Sequence, residues 1–321
     1  MDRAAKDWFG TRTWQDPRWA DLPKGGRTVS VVLPALNEEK TVGQVVESVL
    51  PLDGLVDEVV VMDSGSTDRT AEVAAAAGAR VVRREEVLPG LEPLPGKGEV
   101  LWRSLAATTG DLIVFLDADL VEPDPGFVPA LLGPLLTVPD VHLVKGFYRR
   151  PLRLETEHGG GRVTELLARP LLSALRPELS GLVQPLGGEY AGTREFLEKV
   201  PFAAGYGVEI GLLLDAHRLY GLDAIAQVNL GVRKHRNRNL QQLGVMASQI
   251  LGTMLTRCEI DAQTREFTQF VQVAGEWLPD TTDILVADRP PMREVSGSAG
   301  TPGVRGRWGG AAARRCDGNQ G

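Results

Sequence analysis

The chain has 321 residues, of which 43% are hydrophobic and 24% charged, a composition typical of a folded globular protein with one or two domains. Its 35 lysines and arginines are outnumbered by 42 aspartates and glutamates, and the net charge of -7 excludes a basic nucleic-acid footprint. Two cysteines are too few for a disulfide framework. No apolar run is long enough to span a membrane, and the first ten residues lack the layout of a secretory signal. We therefore expect a cytoplasmic protein with neither a nucleic-acid nor a membrane partner.

The first half of the chain alternates between strand and helix patterns. Apolar, β-branched runs predict strands at residues 28–36, 58–64, 80–84 and 111–119. Helical spacing predicts helices at residues 39–50, 69–77 and 99–109. This alternation predicts an α/β fold with a doubly wound, mostly parallel sheet that is covered on both faces. Ligands of such sheets bind at the carboxyl ends of the strands, where Asn37, Glu38, Asp117 and Asp119 are expected.

The second half has a different rhythm. Strands are predicted at residues 143–149 and 224–232, and helices at residues 163–175, 208–220 and 240–257. We expect residues 1–26 to form an irregular arm that packs on the body through its tryptophans. Residues 27–150 would form the first domain, residues 151–295 a C-terminal subdomain, and residues 296–321 a disordered tail, because that tail is rich in glycine and poor in large apolar side chains.

Three short motifs have the chemistry of an anion or metal site. Asp117 and Asp119 project from the end of an apolar run, and a pair of carboxylates there favours a divalent cation that also binds a diphosphate. Lys97 lies between glycines, which would let the backbone approach an anion. Arg162 follows three glycines and precedes a helix, so that segment is a candidate cradle for a carboxylate or a phosphate. Each motif also occurs in ordinary solvated loops.

Longer motifs resemble those of the glucosyl-3-phosphoglycerate synthases of actinobacteria. They are PALNEE (34–39), DSGSTD (63–68), PGKGE (95–99), QPLGGEYA (184–191), GYGVEIGLL (205–213) and LDAIAQVNLGVRKHRNR (222–238), and the resemblance covers roughly residues 27–295. It implies a GT-A-type fold and a retaining glycosyltransferase. Such an enzyme moves a hexose, glucose in the first place, from a nucleotide diphosphate sugar to the 2-hydroxyl of 3-phosphoglycerate. It also implies Mg²⁺ or Mn²⁺ as cofactor, while the apolar helices of the second half indicate a homodimer.

The resemblance also implies roles for the matching residues. Residues 27–150 become the nucleotide-sugar-binding domain and residues 151–295 the acceptor-binding subdomain. The donor would be bound by Pro34, Ala35, Leu36, Asn37, Glu38, Ser64, Lys97, Asp117, Ala118, Tyr206 and Glu209. The acceptor would be bound by Gly161, Arg162, Val163, Thr164, Arg233 and Asn237. The metal ligands would be Asp119 and His235, and the catalytic residues Lys97, Asp119 and Glu209.

Several other functions compete with this interpretation. Ala118 and Gly187 stand where that family commonly has serine, so a mannosyl-3-phosphoglycerate synthase that uses GDP-mannose stays open. A nucleotide-sugar-binding protein without turnover is the non-enzymatic alternative. The turn PALNEEKT lacks the G-x-G-x-x-G of a dinucleotide-binding oxidoreductase. A glycoside hydrolase is disfavoured because it needs no diphosphate metal. A polyprenyl-phosphate sugar transferase is disfavoured because it should carry a membrane anchor or an amphipathic segment, and the sequence shows neither.

Overall fold

The computed structural model describes residues 1, 3–19, 21–149, 161–233, 239–261 and 266–297. Its strands are β1 (Thr13–Trp14), β2 (Val29–Ala35), β3 (Glu58–Asp63), β4 (Arg80–Arg83), β5 (Leu112–Phe115), β6 (Leu143–Arg149), β7 (Tyr190–Thr193), β8 (Phe202–Ala203), β9 (Ile225–Val232), β10 (Glu266–Val273), β11 (Glu276–Asp283) and β12 (Asp288–Arg289). Its helices are α1 (Arg3–Arg12), α2 (Val42–Val49), α3 (Thr70–Ala76), α4 (Lys97–Ala107), α5 (Phe127–Thr137), α6 (Arg169–Leu175), α7 (Arg194–Lys199), α8 (Val208–Tyr220), α9 (Leu240–Arg257) and α10 (Met292–Gly297). A π-helical turn at Thr164–Ala168 leads into α6. None of these helices is long and apolar enough to cross a bilayer.

An eight-stranded sheet forms the centre of the described structure, with the strand order β1-β9-β6-β7-β5-β2-β3-β4. The pairs β2–β3, β2–β5, β3–β4, β6–β9 and β1–β9 are parallel, whereas β7 runs antiparallel to both β5 and β6. The predicted α/β class and mostly parallel sheet are confirmed. The antiparallel β7 was not predicted.

Apolar cores lie on both faces of this sheet. In β2, Val31 and Leu33 pack in one core with helices α2 and α5, whereas Val32 packs in the other core with α4 and α8. Six of the seven residues of β2 are buried, and all of these but Ser30 are apolar, as expected for a strand that is covered on both faces. Burial on both faces thus explains the strand patterns that the sequence shows.

The N-terminal arm packs on the body as expected, but its predicted irregular structure is wrong. It forms helix α1 and the edge strand β1, which pairs with β9. Trp8 is 3% exposed, and its indole Nε1 donates a hydrogen bond of 2.8 Å to the Ile225 carbonyl. A ten-residue helix is marginal by itself. Packing against β9 supplies the stability that the local sequence pattern does not indicate.

The C-terminal half contributes strands to the same sheet. Strands β7 and β9 lie inside it, so a division at residue 150 cuts across hydrogen-bonded strands, and the assignment of separate functions to the two halves stays a prediction. Strands β10 and β11 form an exposed antiparallel hairpin that was not predicted. Most of the predicted tail, residues 298–321, lies outside the described residues, and its first two residues end helix α10.

Candidate active site

A cleft of about 530 Å³ lies at the carboxyl ends of β2, β3 and β5. The structure brings together there nearly all the described residues that the sequence nominates: Pro34, Ala35, Leu36, Glu38, Ser64, Lys97, Asp117, Ala118, Asp119, Gly161, Arg162, Val163, Thr164, Tyr206, Glu209 and Arg233. His235 and Asn237 lie outside the described residues. Segments more than a hundred residues apart thus line one cavity, as the resemblance implies.

Asn37 is the described exception, because it is not among the residues that line the cleft. Its backbone is left-handed, with φ of 56°, a conformation that asparagine adopts more readily than most residues. Its side-chain oxygen accepts a hydrogen bond of 2.9 Å from the Thr67 amide, and its own amide donates to the Ser66 hydroxyl. Asn37 therefore joins the turns that follow β2 and β3.

Asp117 and Asp119 lie beyond the strand that was predicted to carry them. Strand β5 ends at Phe115, the last residue that pairs with β2, at Val32, and with β7, at Tyr190, and the carboxylates lie in the following loop. Gly188 faces Asp117 so closely that a Cβ atom on Gly188 would come within 2.4 Å of the carboxylate. A side chain at position 188 would therefore displace the Asp117 carboxylate.

Lys97 bridges two carboxylates at the floor of the cleft. Its Nζ lies 2.6 Å from Asp117 Oδ1 and 2.8 Å from Glu209 Oε1. Burial opposes the charge of Lys97, but Asp117 and Glu209 outweigh it and raise its pKa well above the usual value. Lys97 is therefore an ammonium at neutral pH and holds both carboxylates in place.

Arg233 makes a second bridge. Its Nη2 donates to Asp117 Oδ2 at 2.8 Å and to Asp119 Oδ1 at 2.9 Å, and its Nε lies 3.1 Å from Glu189 Oε1. Burial disfavours this guanidinium charge, yet Glu189 and the two aspartates raise its pKa further above the usual value. Asp117 is the point where the two bridges meet.

These six residues form what we call the charged cluster: Lys97, Asp117, Asp119, Glu189, Glu209 and Arg233. The cluster itself has four carboxylates and two cations, and it lies beside a cavity that has room for a diphosphate and is also lined by Glu38, Arg84 and Arg162. Hard carboxylate oxygens suit Mg²⁺ or Mn²⁺, which bind few protein ligands and take the rest from phosphate and water. No group of three or more potential metal ligands occurs among the described residues, and His235 is outside them.

The glycines beside Lys97 allow a close contact between two backbone segments, and their predicted role in binding an anion stays a prediction. A Cβ atom on Gly98 would come 1.7 Å from the Ala203 carbonyl oxygen, and one on Gly96 would come 2.7 Å from that of Ala204. Gly96 also has φ of 109°, which disfavours other residues. The glycines let the first turn of α4 pack against the backbone next to β8, and Gly96 also lines the cleft.

Sequence reasoning missed several residues of the site. Glu189 is fully buried, and its position inside a motif was its only signal. Lys145 is buried in β6, where its Nζ donates to the Gly187 carbonyl at 2.6 Å, and burial lowers its pKa to about 8. A lysine in the middle of an apolar strand is the sequence signal that could have identified this residue. The apolar side of the cleft includes Leu243, Met246 and Ile250 of α9, at helical spacing.

The strand order, together with paired aspartates after β5 in a cleft at the carboxyl ends of the strands, defines a GT-A glycosyltransferase. The family model described as glycosyl transferase family 2 matches residues 30–200. The glucosyl-3-phosphoglycerate synthase of Mycolicibacterium smegmatis is 62% identical over 293 residues, which are 89% of this chain and 97% of that protein. The enzyme of Mycobacterium tuberculosis is 56% identical and is matched over 88% of this chain and 91% of its own length.

Solved structures agree with this. The crystal structure of the Mycobacterium tuberculosis enzyme with Mn²⁺, uridine-diphosphate-glucose and phosphoglyceric acid has a TM-score of 0.82 at 56% identity, and the match covers 88% of this chain and 98% of that one. A structure of that enzyme with Mg²⁺ and uridine diphosphate has the same TM-score and the same identity. The chain belongs to the glucosyl-3-phosphoglycerate synthase family, within glycosyl transferase family 2. The predicted family and fold are confirmed.

Proposed function

We propose that this chain transfers glucose from UDP-glucose to the 2-hydroxyl of 3-phosphoglycerate, with retention of configuration and with Mg²⁺ or Mn²⁺ as cofactor. The observation that carries the proposal is the charged cluster, of which five residues line the same cleft as the nominated donor segments and the nominated acceptor segment. The relatives with 56% to 62% identity have this activity in their names, and one is solved with all three ligands.

The donor would occupy the part of the cleft formed by β2, β3 and the charged cluster. Leu36, Ser64 and Asp117 line the cleft, and Leu36 and Ser64 would pack against the base and the ribose. Lys97 and Arg233 neutralise much of the negative charge of the carboxylates, which lets a diphosphate approach. Asp119, with His235, would hold the metal, which when bound stabilises the charge of the departing diphosphate.

The acceptor would occupy the part of the cleft beside residues 161–164. Arg162 and Thr164 line it, and Thr164 begins the π-helical turn, so a guanidinium, a hydroxyl and the start of a helical turn belong to one stretch of the cleft wall. 3-Phosphoglycerate carries a carboxylate and a phosphate, and such groups are bound well by guanidinium forks and by the amides of helix starts. Arg162 is exposed to the cleft and is therefore accessible to the acceptor.

Transfer breaks the bond between the anomeric carbon of glucose and the diphosphate oxygen, forms a bond from that carbon to the acceptor 2-oxygen, and passes the proton of the acceptor hydroxyl to the departing diphosphate. Glu209 is 6% exposed and held by Lys97, so its carboxylate is fixed at the floor of the cleft. In that position it would accept hydrogen bonds from sugar hydroxyls and stabilise the positive charge that develops on the sugar. Tyr206 would cover the sugar from the side.

A donor panel tests this function and its alternatives. With 3-phosphoglycerate and Mg²⁺, we expect kcat/KM for UDP-glucose to exceed that for GDP-mannose or UDP-galactose by at least about tenfold, since a site that hydrogen-bonds sugar hydroxyls discriminates strongly between epimers. The measurement is nucleotide release together with NMR of the product, whose anomeric coupling should show retention. Preference for GDP-mannose would indicate a mannosyl transferase, and absence of release with every donor would indicate a binding protein.

We also propose that the chain forms a homodimer through the β10–β11 hairpin. Phe270, Val273 and Trp277 are 61%, 53% and 67% exposed there, and large apolar side chains grouped on one exposed hairpin mark an interface. A second copy of the chain is the simplest partner, because a two-fold contact buries the same surface on both copies.

We also propose a cytoplasmic location, because 3-phosphoglycerate and nucleotide sugars are cytoplasmic metabolites.

The double substitution Phe270→Glu with Trp277→Glu should convert the dimer to a monomer, because two charges would be buried at each copy of the interface. Sedimentation velocity measures the change. Leu219→Glu, which alters an exposed leucine on α8, serves as the control and should leave the mass unchanged. A double variant with the mass of the parent would contradict the proposed interface.

A further inference from the structure

A carboxylate lies buried between two arginines behind the wall of the cleft. Glu99 is 0% exposed, and its Oε1 accepts a hydrogen bond of 2.6 Å from Arg103 Nε, one turn later on α4. Its Oε2 accepts a bond of 2.6 Å from Arg289 Nε, and its Oε1 accepts a second one, of 2.9 Å, from Arg289 Nη2. We call these three residues the Glu99 clamp. None of them lines the cleft.

The clamp holds the segment that leads into the cleft. Arg103 donates to the carbonyl oxygens of Val87 and Leu91, and Arg289 donates to that of Glu92. This segment continues to Pro95 and Gly96, which line the cavity. Residues 87–96 lie in neither a strand nor a helix. The guanidinium groups therefore donate hydrogen bonds to carbonyl oxygens that regular secondary structure does not pair.

The clamp also joins the start of α4 to the C-terminal segment. Strand β12 pairs with β8, where Arg289 lies opposite Phe202 and Asp288 opposite Ala203. The Glu99 amide donates to the Ala204 carbonyl at 3.0 Å, and Trp102 Nε1 donates to the Pro290 carbonyl at 2.8 Å. The Arg289 guanidinium lies 5.2 Å from the Trp102 ring. One short strand therefore fixes the first turn of α4 from outside the site.

We propose that Arg289, acting through Glu99, is a positioning residue for Lys97. Lys97 is the first residue of α4 and lies two residues before Glu99, so a shift of this turn moves the ammonium away from Asp117 and Glu209. The inference rests on the proposed donor role of Lys97. A displacement of about 1 Å in a catalytic arrangement is enough to lower a rate by about a hundredfold.

Arg289→Met tests the inference, because methionine keeps much of the volume and removes the charge and the donors. We expect kcat/KM for UDP-glucose to fall about 5- to 50-fold, while the apparent KM for 3-phosphoglycerate changes by less than about twofold. Calorimetric binding of UDP with Mg²⁺ should weaken in parallel. Arg289→Lys should recover part of the loss, since lysine keeps the charge and lacks the two-point contact.

Arg194→Met is the matched control at the opposite end of the same helix. Arg194 donates to the Leu105 carbonyl at 2.9 Å and to the Thr108 hydroxyl at 3.0 Å, at the C-terminal end of α4. Its substitution removes a similar number of hydrogen bonds. We expect a comparable fall in melting temperature with donor kinetics like those of the parent, when each variant is assayed well below its own melting temperature.

The inference is overturned if Arg289→Met has the same kcat/KM for UDP-glucose as the parent, or if Arg194→Met loses as much of it as Arg289→Met does. It is also overturned if the KM of Arg289→Met for 3-phosphoglycerate rises as much as its KM for UDP-glucose. If Arg289→Met does not fold, the same criteria apply to Arg289→Lys. Lys97→Met separates this inference from the function on which it rests. A donor defect in Lys97→Met without one at Arg289 rejects only the clamp, whereas an unaltered donor affinity in Lys97→Met rejects the donor role of Lys97.

Discussion

Asp119→Ala should lower the rate of glucosyl transfer by about 10³-fold or more. Chelation of the divalent metal should lower the rate of the parent enzyme to the same level. One charge-stabilising group in an active site commonly contributes 10²- to 10³-fold to the rate, and here the same carboxylate would also hold the metal. Asp119 is the more exposed of the two cleft aspartates, at 31% against 22% for the side chain of Asp117. Its removal should therefore leave the melting temperature nearly unchanged.

The assay should include metal binding, so that it does not depend on turnover alone. We expect Asp119→Ala to weaken the binding of Mn²⁺ in the presence of UDP, as measured by calorimetry or by paramagnetic resonance. Asp53→Ala is the matched control, because Asp53 is an exposed aspartate outside the cleft, and it should behave like the parent. Full transfer by Asp119→Ala in chelator would exclude the proposed metal site.

Arg162→Ala should raise the apparent KM for 3-phosphoglycerate by about 10- to 150-fold, because hydrogen bonds to charged groups contribute about 1.5 to 3 kcal/mol. The lower part of this interval is expected, since Arg162 is exposed and water screens its charge. The KM for UDP-glucose should change little. Arg162→Lys should recover only part of the affinity, because an ammonium lacks the planar two-point contact.

Replacing 3-phosphoglycerate by glycerate examines the same contact from the side of the ligand. If Arg162 binds the phosphate, glycerate should be a much poorer acceptor for the parent and only a slightly poorer one for Arg162→Ala. Arg69→Ala is the control, since Arg69 pairs with Glu72 on the surface of α3 and does not line the cleft. Weaker binding of UDP-glucose with unaltered acceptor saturation in Arg162→Ala would place residues 161–164 at the donor.

The structure explains why the sequence predicted some elements within one or two residues and missed others. Helix α8 and helix α9 lie where helical spacing placed them, at residues 208–220 and 240–257. Both are long enough, and periodic enough, for the local pattern to decide. Strands β1 and β7 have two and four residues, and their conformation depends on β9 and on β5 as partners. A pattern of four residues or fewer does not indicate which strand it will join, or in which direction.

The sequence by itself determined the α/β class and the family, and it nominated the residues that meet in the cleft, because strand ends and long motifs are local properties of the chain. The tertiary structure alone decided how these residues are held. It placed Glu189 against Arg233, Lys145 under Gly187, and Arg289 against Glu99 from 190 residues away. Such contacts join buried charged groups that are distant in the chain. They leave no periodic signal in the sequence, because their partners are chosen by the packing of the sheet and its helices and not by spacing along the chain.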